Sequence, residues 1–404
     1  MSESQFENPE LIEEYITSLQ EQLDSLQARN ERLKRRVAKL EGERDSLRRQ
    51  LPPWRRRKAW NRKASGSEPH DRTISIPDVG TIPDLQLPDG PVARPDLVVA
   101  AVLDDFSRNA FRYEFDLRDI AATDVEEALE AVAPDLLLVE SAYRGPEASW
   151  VGRIARFGSP SPELEKLVNW CRTHGIPTVF WVKEDPINHD WFTASASLFD
   201  VVLTVDSNML DSYRRRLGHE RVGVLTFAAQ PVIHHPPDDP VRPGKVAFAG
   251  SYYAAKHPQR RDQMVSVLEP ALDWGLHIFD RMDRQQDPRF AWPEVYRDHI
   301  VGSLTYPQTL EAYRRYETFL NVNTVTDSPT MCARRVYELL ASGTRVVSGP
   351  ADALREVPVD VTESPEETRE LLSRGPRFDP GEGIAWVQSE HTMSHRVESI
   401  LGYL

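Results

Sequence analysis

Apolar residues recur along this chain on two different periods, and the change of period divides it. Near the start, Ile12, Leu19, Leu26, Leu33, Leu40 and Leu47 fall every seventh residue, and Ile16, Leu23, Asn30, Val37, Arg44 and Leu51 follow four positions later. That is a heptad seam with leucine at d, which favours two parallel helices, and Asn30 at a would pair with its mate and fix register. In a parallel pair Arg36 faces Glu41 and Glu43 faces Arg48, both attractive. The pattern predicts a coiled coil over 9–51 that forms a homodimer through residues 12–51 or docks onto another coiled coil. Pro52 and Pro53 end it, because proline has no N–H to donate and clashes with the preceding turn.

From residue 97 the pattern changes to short continuous apolar runs separated by amphipathic stretches. Strands are expected over 97–103, 136–139, 178–182, 201–205 and 222–225, with helices over 125–132, 162–174 and 208–217. Unbroken apolar strands between helices mean a parallel sheet covered on both faces. Proline-rich 226–244 breaks the alternation. A second series follows, with strands at 246–249, 276–279, 318–322 and 344–347 and helices at 260–268, 310–316 and within 327–343. The fold class is therefore α/β, with two Rossmann-like domains at 96–230 and 245–380 behind an N-terminal parallel coiled coil. A closing helix over 381–404 is expected to pack across both. Residues 52–95 read as a linker, basic at first and then rich in Pro, Asp and Gly.

Composition narrows the function. The net charge of −14 over 404 residues excludes a general nucleic-acid binder. The start of the chain is acidic and lacks an apolar core, and no apolar run is long enough to cross a bilayer, so a cytoplasmic protein is expected, peripheral at the inner face of the plasma membrane at most. Cys171 and Cys332 suit a reducing compartment, and no spacing suggests metal ligands. The run 54–63, from Trp54 to Lys63, WRRRKAWNRK, reads either as a footing on anionic lipid or a polyanion, or as a solvated charge run.

Ligands of open α/β sheets sit beyond the carboxyl ends of the strands. Glu140, Ser141, Lys183, Glu184 and Asp185 all fall there in the first domain, and Gly250, Ser251, Tyr252 and Asn323 in the second. The stretch 327–350 carries the strongest signal. Ser328 and Pro329 read as a helix start, Val336, Leu339 and Leu340 as its buried stripe, and Gly343 as its stop. Arg335 and Glu338, three apart, share a face. A helix whose free N-terminus can meet an anion, carrying an Arg for a phosphate and a Glu for a ribose diol, suits a nucleoside diphosphate; the same pattern also fits an ordinary αβ unit with a surface Glu–Arg pair.

Six blocks in order, LLLVESAYRG, NWCRTHGIPTVFWVKEDP, FDVVLTVD, LTFAAQP, FAGSYYAAKHPQRR and MCARRVYELLASGTRVVS, resemble the CgeB-like (spore-maturation) branch of group 1 glycosyltransferases from about residue 97 onward. The resemblance implies a GT-B architecture and metal-independent transfer of a sugar from a nucleotide-diphosphate sugar to a hydroxyl of a cell-surface, spore or polymer glycan. It implies that Glu338 holds the ribose, that Arg335 and Thr344 contact the diphosphate beyond the Gly343 turn, and that Gly250 and Ser251 let backbone approach the phosphates. Lys256, Arg260 and Arg261 add positive charge beside that turn. The acceptor is expected on the first domain, near Glu140, Ser141, Lys183 and Trp150. An inverting transfer needs a base; Asp185 or Glu184 would serve, with His189 as the alternative, or Glu184-Asp185-Pro186 simply shapes a turn. One position departs from the resemblance: a second Glu expected eight residues before Glu338 is Thr330.

Two other readings compete. A sugar-nucleotide epimerase on the same fold would need no acceptor site. A non-catalytic coiled-coil scaffold would keep only a vestigial nucleotide site. The coiled coil makes a separate prediction: deletion of the residues before Leu51 is expected to leave a folded monomer. A product still dimeric in sedimentation would refute the seam as the main interface.

Overall fold

The computed structural model describes residues 74–404 except 85, 255 and 284–286. The coiled coil and the basic run lie outside the described residues. So do the dimer and the surface contacts expected of them.

The described chain opens inside the expected linker, where β1 (Ile74–Ile76) and β2 (Gly80–Ile82) pair as a small antiparallel hairpin. Ile76, Val79 and Ile82 are buried in the core of the second half, so this part of the linker is anchored by apolar burial. The first half follows as β3 (Arg94–Val102), α1 (Asp105–Phe111), β4 (Phe115–Asp119), α2 (Val125–Val132), β5 (Leu136–Glu140), α3 (Pro162–Thr173), β6 (Thr178–Val182), α4 (His189–Ala196), β7 (Val201–Thr204), α5 (Leu210–Leu217) and β8 (Val222–Val224). Its six strands are parallel in the order β4-β3-β5-β6-β7-β8. Alternation explains the unbroken apolar runs. Ala100, Leu137 and Phe180 enter the core on one face, while Val99, Leu136 and Val179 enter the core on the other.

The second half contains β9 (Gly244–Gly250), α6 (Pro258–Leu268), β10 (Leu276–Asp280), β11 (Ile300–Gly302), α7 (Tyr306–Arg315), β12 (Tyr316–Asn321), α8 (Arg334–Ala341), β13 (Arg345–Ser348), β14 (Asp360–Val361) and α9 (Pro365–Arg374). These strands are also parallel, ordered β11-β10-β9-β12-β13-β14. The order reverses between β9 and β12, and a crevice for ligand is expected outside that point. The α/β class with two parallel sheets therefore stands as expected.

The closing helix is two helices. In α10 (Pro380–Glu390), Trp386 stacks on Tyr337 of α8 at 5.6 Å, on the second half. In α11 (Met393–Leu401), Met393, Val397 and Ile400 enter the core of the first half. The break falls at His391 and Thr392, where Thr392 begins a new helix with a capping box to His395. Between the helices and the interdomain crossing, the Arg396 guanidinium donates to the carbonyls of Thr226, Phe227 and Glu390.

Trp150 corrects an expectation. It is fully buried and its indole N–H donates to the Ile120 carbonyl at 2.8 Å, so it is a core residue and not an acceptor-stacking face. Trp181, also buried, donates in the same way to Leu225. Trp150→Ala is expected to cost about 3–5 kcal/mol in urea unfolding. A solvent-facing tryptophan would give a change within about 0.5 kcal/mol, which would reject the core assignment.

Candidate functional site

The carboxyl ends of the two sheets meet across a cleft. On the first half the nearest groups are Asp104, Glu140 and Lys183, at the ends of β3, β5 and β6. Lys183 Nζ donates to Glu140 Oε1 at 2.7 Å and lies 3.6 Å from Asp104 Oδ2. Asp104 also accepts the backbone N–H groups of Tyr143, Arg144 and Gly145. Burial alone would raise its pKa, but Lys183 and those three donors bring it below the ordinary carboxylate value. Glu140 is fully buried, and burial pushes it up. Burial would lower Lys183, yet Glu140 and Asp104 outweigh it and the net shift is upward. Ser141 is buried with its hydroxyl accepting the Lys183 N–H, so it shapes the strand end.

The three expected base candidates separate. Asp185 is 1% exposed, and its carboxylate is taken up by Thr204 Oγ1 at 2.6 Å, the Tyr213 hydroxyl at 3.0 Å and His189 Nδ1 at 3.0 Å. The other His189 nitrogen meets Ser212 Oγ at 3.2 Å. Asp185 and His189 thus form an internal polar network below the loop and do not present a free base to the cleft. Glu184 is partly exposed and accepts from the Tyr143 hydroxyl and the Asn188 amide.

Across the cleft, three guanidinium groups gather around the end of β9. Arg335 donates to the Ala249 carbonyl, Arg260 to the carbonyls of Val322 and Ser251, and Arg281 to Ser251 Oγ and the Tyr253 hydroxyl. Arg334, next in the chain at the first turn of α8, directs its guanidinium to Glu338 and the Phe106 ring instead. Burial, and then the neighbouring Arg335, lowers Arg260 to about 10. Arg335 is lowered by burial, with Arg281 and Arg334 adding like charge. Gly250 gives the backbone its closeness here: a Cβ would stand 2.8 Å from the Phe248 ring. Arg261 donates to the carbonyls of Tyr253 and Lys256 and so pins the turn, while Lys256 itself is exposed. Tyr252 packs on Trp292 at 5.4 Å. Asn323 is buried and brackets β12 to β13 through Ser348 and Gly349.

Glu338 is where sequence and structure differ most. Its ion-pair partner is Arg334, four residues back and 3.0 Å away, and not Arg335. Tyr306 and Tyr313 donate their hydroxyls to it, and His234 Nε2 lies 3.4 Å away. His234 Nδ1 accepts the Gln230 N–H, which leaves the proton on Nε2, facing Tyr306 and Glu338. A ribose reaches this carboxylate only by displacing Tyr306 or Arg334. The Arg334 guanidinium also lies 3.9 Å from the centre of the Phe106 ring, on the opposite half.

Two further expectations need correction. Gly343 (φ +65°) and Thr344 precede β13, at the end of the strand away from the cleft. There Arg242 donates to the carbonyls of Ser342 and Gly343 and to Thr344 Oγ1, so neither residue reaches a cleft phosphate. Ser328 does not cap the helix either, because α8 starts at Arg334 after Ala333. Ser328 Oγ instead donates to Asp206 Oδ1 at 2.6 Å, and Thr330 Oγ1 to the Val205 carbonyl at 2.9 Å, tying this loop to the first half. Sequence reasoning missed Arg281, Arg334, His234 and Tyr306 as site groups. Only Arg334 carried a signal, its i,i+4 spacing to Glu338.

Residues 260–402 match the family model described as glycosyl transferase-like. The match begins within α6 and covers most of the second half together with α10 and α11. No curated protein matches the chain. Among solved structures, the chain is similar to Anabaena HepE in complex with UDP and glucose, at 8% identity and a TM-score of 0.45, over 76% of this chain and 92% of that one. It is also similar to a Listeria monocytogenes protein described as a UDP-N-acetylglucosamine 2-epimerase, at 11% and 0.42 over 75% and 86%. A third is sucrose-phosphate synthase from Thermosynechococcus elongatus, at 12% and 0.40 over 69% and 76%. Scores this low support no statement about the substrate of this chain.

The Glu338 network has a pH signature. Burial alone would raise this carboxyl, but Arg334, then His234 and Tyr306, hold it down from 4.5 to about 2. Its folded pKa is depressed, so its contribution to stability is full above about 4.5 and is lost as pH falls toward about 2. Wild type is expected to exceed Glu338→Gln by roughly 3 kcal/mol at pH 7 in urea unfolding. The gap should narrow steadily below pH 4.5. An equal gap at pH 7 and pH 3 would refute an ionised, paired Glu338.

Proposed function

We propose that this chain transfers a sugar from a nucleotide-diphosphate donor to a hydroxyl acceptor. The observation that carries the reading is the gathering of Arg260, Arg281 and Arg335 at the Gly250 turn, across a cleft from Asp104, Glu140 and Lys183. The match of residues 260–402 to a glycosyl transferase-like family supports it.

In this reading the diphosphate lies against the turn after β9. Its negative charge grows as the bond to the sugar breaks, and groups already oriented toward it stabilise that change without reorganising. Guanidinium groups supply the charge in a planar fork that matches phosphate oxygens, so a divalent cation is not required in the proposal. Arg334 is held in place from both sides, by Glu338 and by the Phe106 ring. The acceptor hydroxyl approaches from the first half. Glu184, partly exposed and hydrogen-bonded to Tyr143, is the candidate base that can reach it, while Lys183 and Asp104 orient neighbouring hydroxyls.

Titration calorimetry with nucleoside diphosphates in EDTA tests this. At least one is expected to bind wild type, and Arg335→Gln is expected to bind it at least tenfold more weakly with an unchanged circular dichroism spectrum. Absence of binding by every nucleoside diphosphate and nucleotide sugar, with and without magnesium, would reject the reading.

A further inference from the structure

The polar network around Asp185 runs outward to a serine that sugar transfer leaves unused. Ser212 is the third residue of α5, and its hydroxyl lies 3.2 Å from His189 Nε2. The other ring nitrogen, Nδ1, lies 3.0 Å from Asp185 Oδ1. Serine, histidine and aspartate therefore stand in one hydrogen-bonded line. They come from the first turn of α5, the first residue of α4 and the turn after β6.

The surroundings fix the protons along this line. Thr204 Oγ1 accepts the Asp206 N–H, so its own proton goes to Asp185 Oδ2, at 2.6 Å. The Tyr213 hydroxyl donates to the same carboxylate at 3.0 Å. Asp185 thus serves as an acceptor, and His189 Nδ1 must supply a proton to it. That leaves Nε2 to accept, and the Ser212 hydroxyl must donate to it. In a Ser-His-Asp triad the histidine takes the serine proton through this nitrogen, while the aspartate holds the tautomer.

Ser212 also differs from other helix hydroxyls of the chain. Thr193, Ser342 and Ser399 each donate to the carbonyl four residues back. Ser212 gives up that bond for His189. Exposure rises along the line: Asp185 is buried, the His189 side chain is 12% exposed, and Ser212 is half-buried. The nucleophile is at the open end. Arg216 falls one turn after Ser212 on the same face and reaches Asp190, the neighbour of His189, at 3.6 Å. Its guanidinium can meet the negative charge that develops on a carbonyl oxygen attacked by Ser212.

We propose that Ser212, His189 and Asp185 form a second reactive site, a nucleophilic serine that takes acyl groups from small esters. The site uses none of the groups assigned to sugar transfer, so it stands or falls apart from that reading. The serine oxygen bonds to the ester carbonyl carbon as its proton passes to His189 Nε2. The bond from that carbon to the alcohol oxygen then breaks, and the alcohol leaves with the proton. Water ends the cycle: His189 takes one of its protons, the hydroxide bonds to the acyl carbon, and the proton returns to the Ser212 oxygen as the acid departs. Asp190, Asp211 and Arg216 beside the serine are exposed, which suits an acyl group as small as acetyl projecting from a larger molecule.

Diisopropyl fluorophosphate, applied to the full-length chain, tests this, because it phosphorylates activated serines and spares ordinary ones. Mass spectrometry is expected to find one adduct, on the peptide that carries Ser212, and Ser212→Ala should remove it. His189→Gln keeps the hydroxyl and removes the base, and labelling should slow by at least about a hundredfold. p-Nitrophenyl acetate should acetylate the same serine, with an early stoichiometric burst of nitrophenolate. A wild type that takes no label would overturn the proposal whether or not the variants fold. So would labelling that persists in Ser212→Ala, or a Ser212 adduct that forms at an unchanged rate in His189→Gln. Phosphorylation of Ser212 without acetylation would overturn the assignment to acyl transfer.

Discussion

Glu338 carries a full negative charge where water scarcely reaches it, and groups from three segments compensate it. His234 comes from the interdomain crossing, Tyr306 and Tyr313 from α7, and Arg334 from the helix of Glu338 itself. A buried ion left without its partner costs about 3–5 kcal/mol, so this arrangement tolerates little rearrangement. Its consequence extends past the second half. Arg334, held by Glu338, presses on Phe106 at the start of α1, and Phe106 also meets Tyr306 edge-on at 4.8 Å. One carboxylate therefore sets the crossing segment, a helix of the second half and the contact with the first.

The neighbouring arginines are in the opposite condition. Among the described residues no salt bridge reaches Arg260, Arg281 or Arg335; their hydrogen bonds go to carbonyls and hydroxyls. Carbonyl dipoles orient a guanidinium but do not neutralise it. Like charges held together under partial burial raise the energy of the free protein, and an anion with two phosphates removes that penalty. Glu338, already paired with Arg334, has no such unmet charge.

The fold was legible because burial on both faces leaves a plain signal. The runs at 136–139 and 178–182 are apolar at every position, and each became a central strand. What escaped were the short strands β4, whose sequence FDLRD places charge at an edge, β11 and β14, the helices α1 and α9, and the hairpin at β1 and β2, three residues per strand inside a proline-rich segment. Strand-end placement brought Glu140, Lys183, Glu184 and Gly250 together and failed for Asp185, whose carboxylate turns into an internal network. The resemblance misplaced Trp150 and Thr344, because Trp150 turns into the core and a residue before a strand lies at the wrong edge. The pairing of Glu338 failed for a narrower reason. Both i−3 and i−4 neighbours are arginines, and only the rotation of α8 decides which one meets the carboxylate.

Thr330 shows how one position can trade a ligand contact for an internal one. Its hydroxyl donates to the Val205 carbonyl and accepts the Ser207 N–H at 2.9 Å, while Ser328 binds Asp206 and the Asn208 amide binds the Asp327 carbonyl. Each such bond contributes about 0.5–1.5 kcal/mol, more where the charged Asp206 takes part. Four of them across one edge make separation of the halves there costly as a single event. A glutamate at position 330 could not satisfy both the Val205 carbonyl and the Ser207 N–H, because an ionised carboxylate only accepts. The hydroxyl fits because it does both.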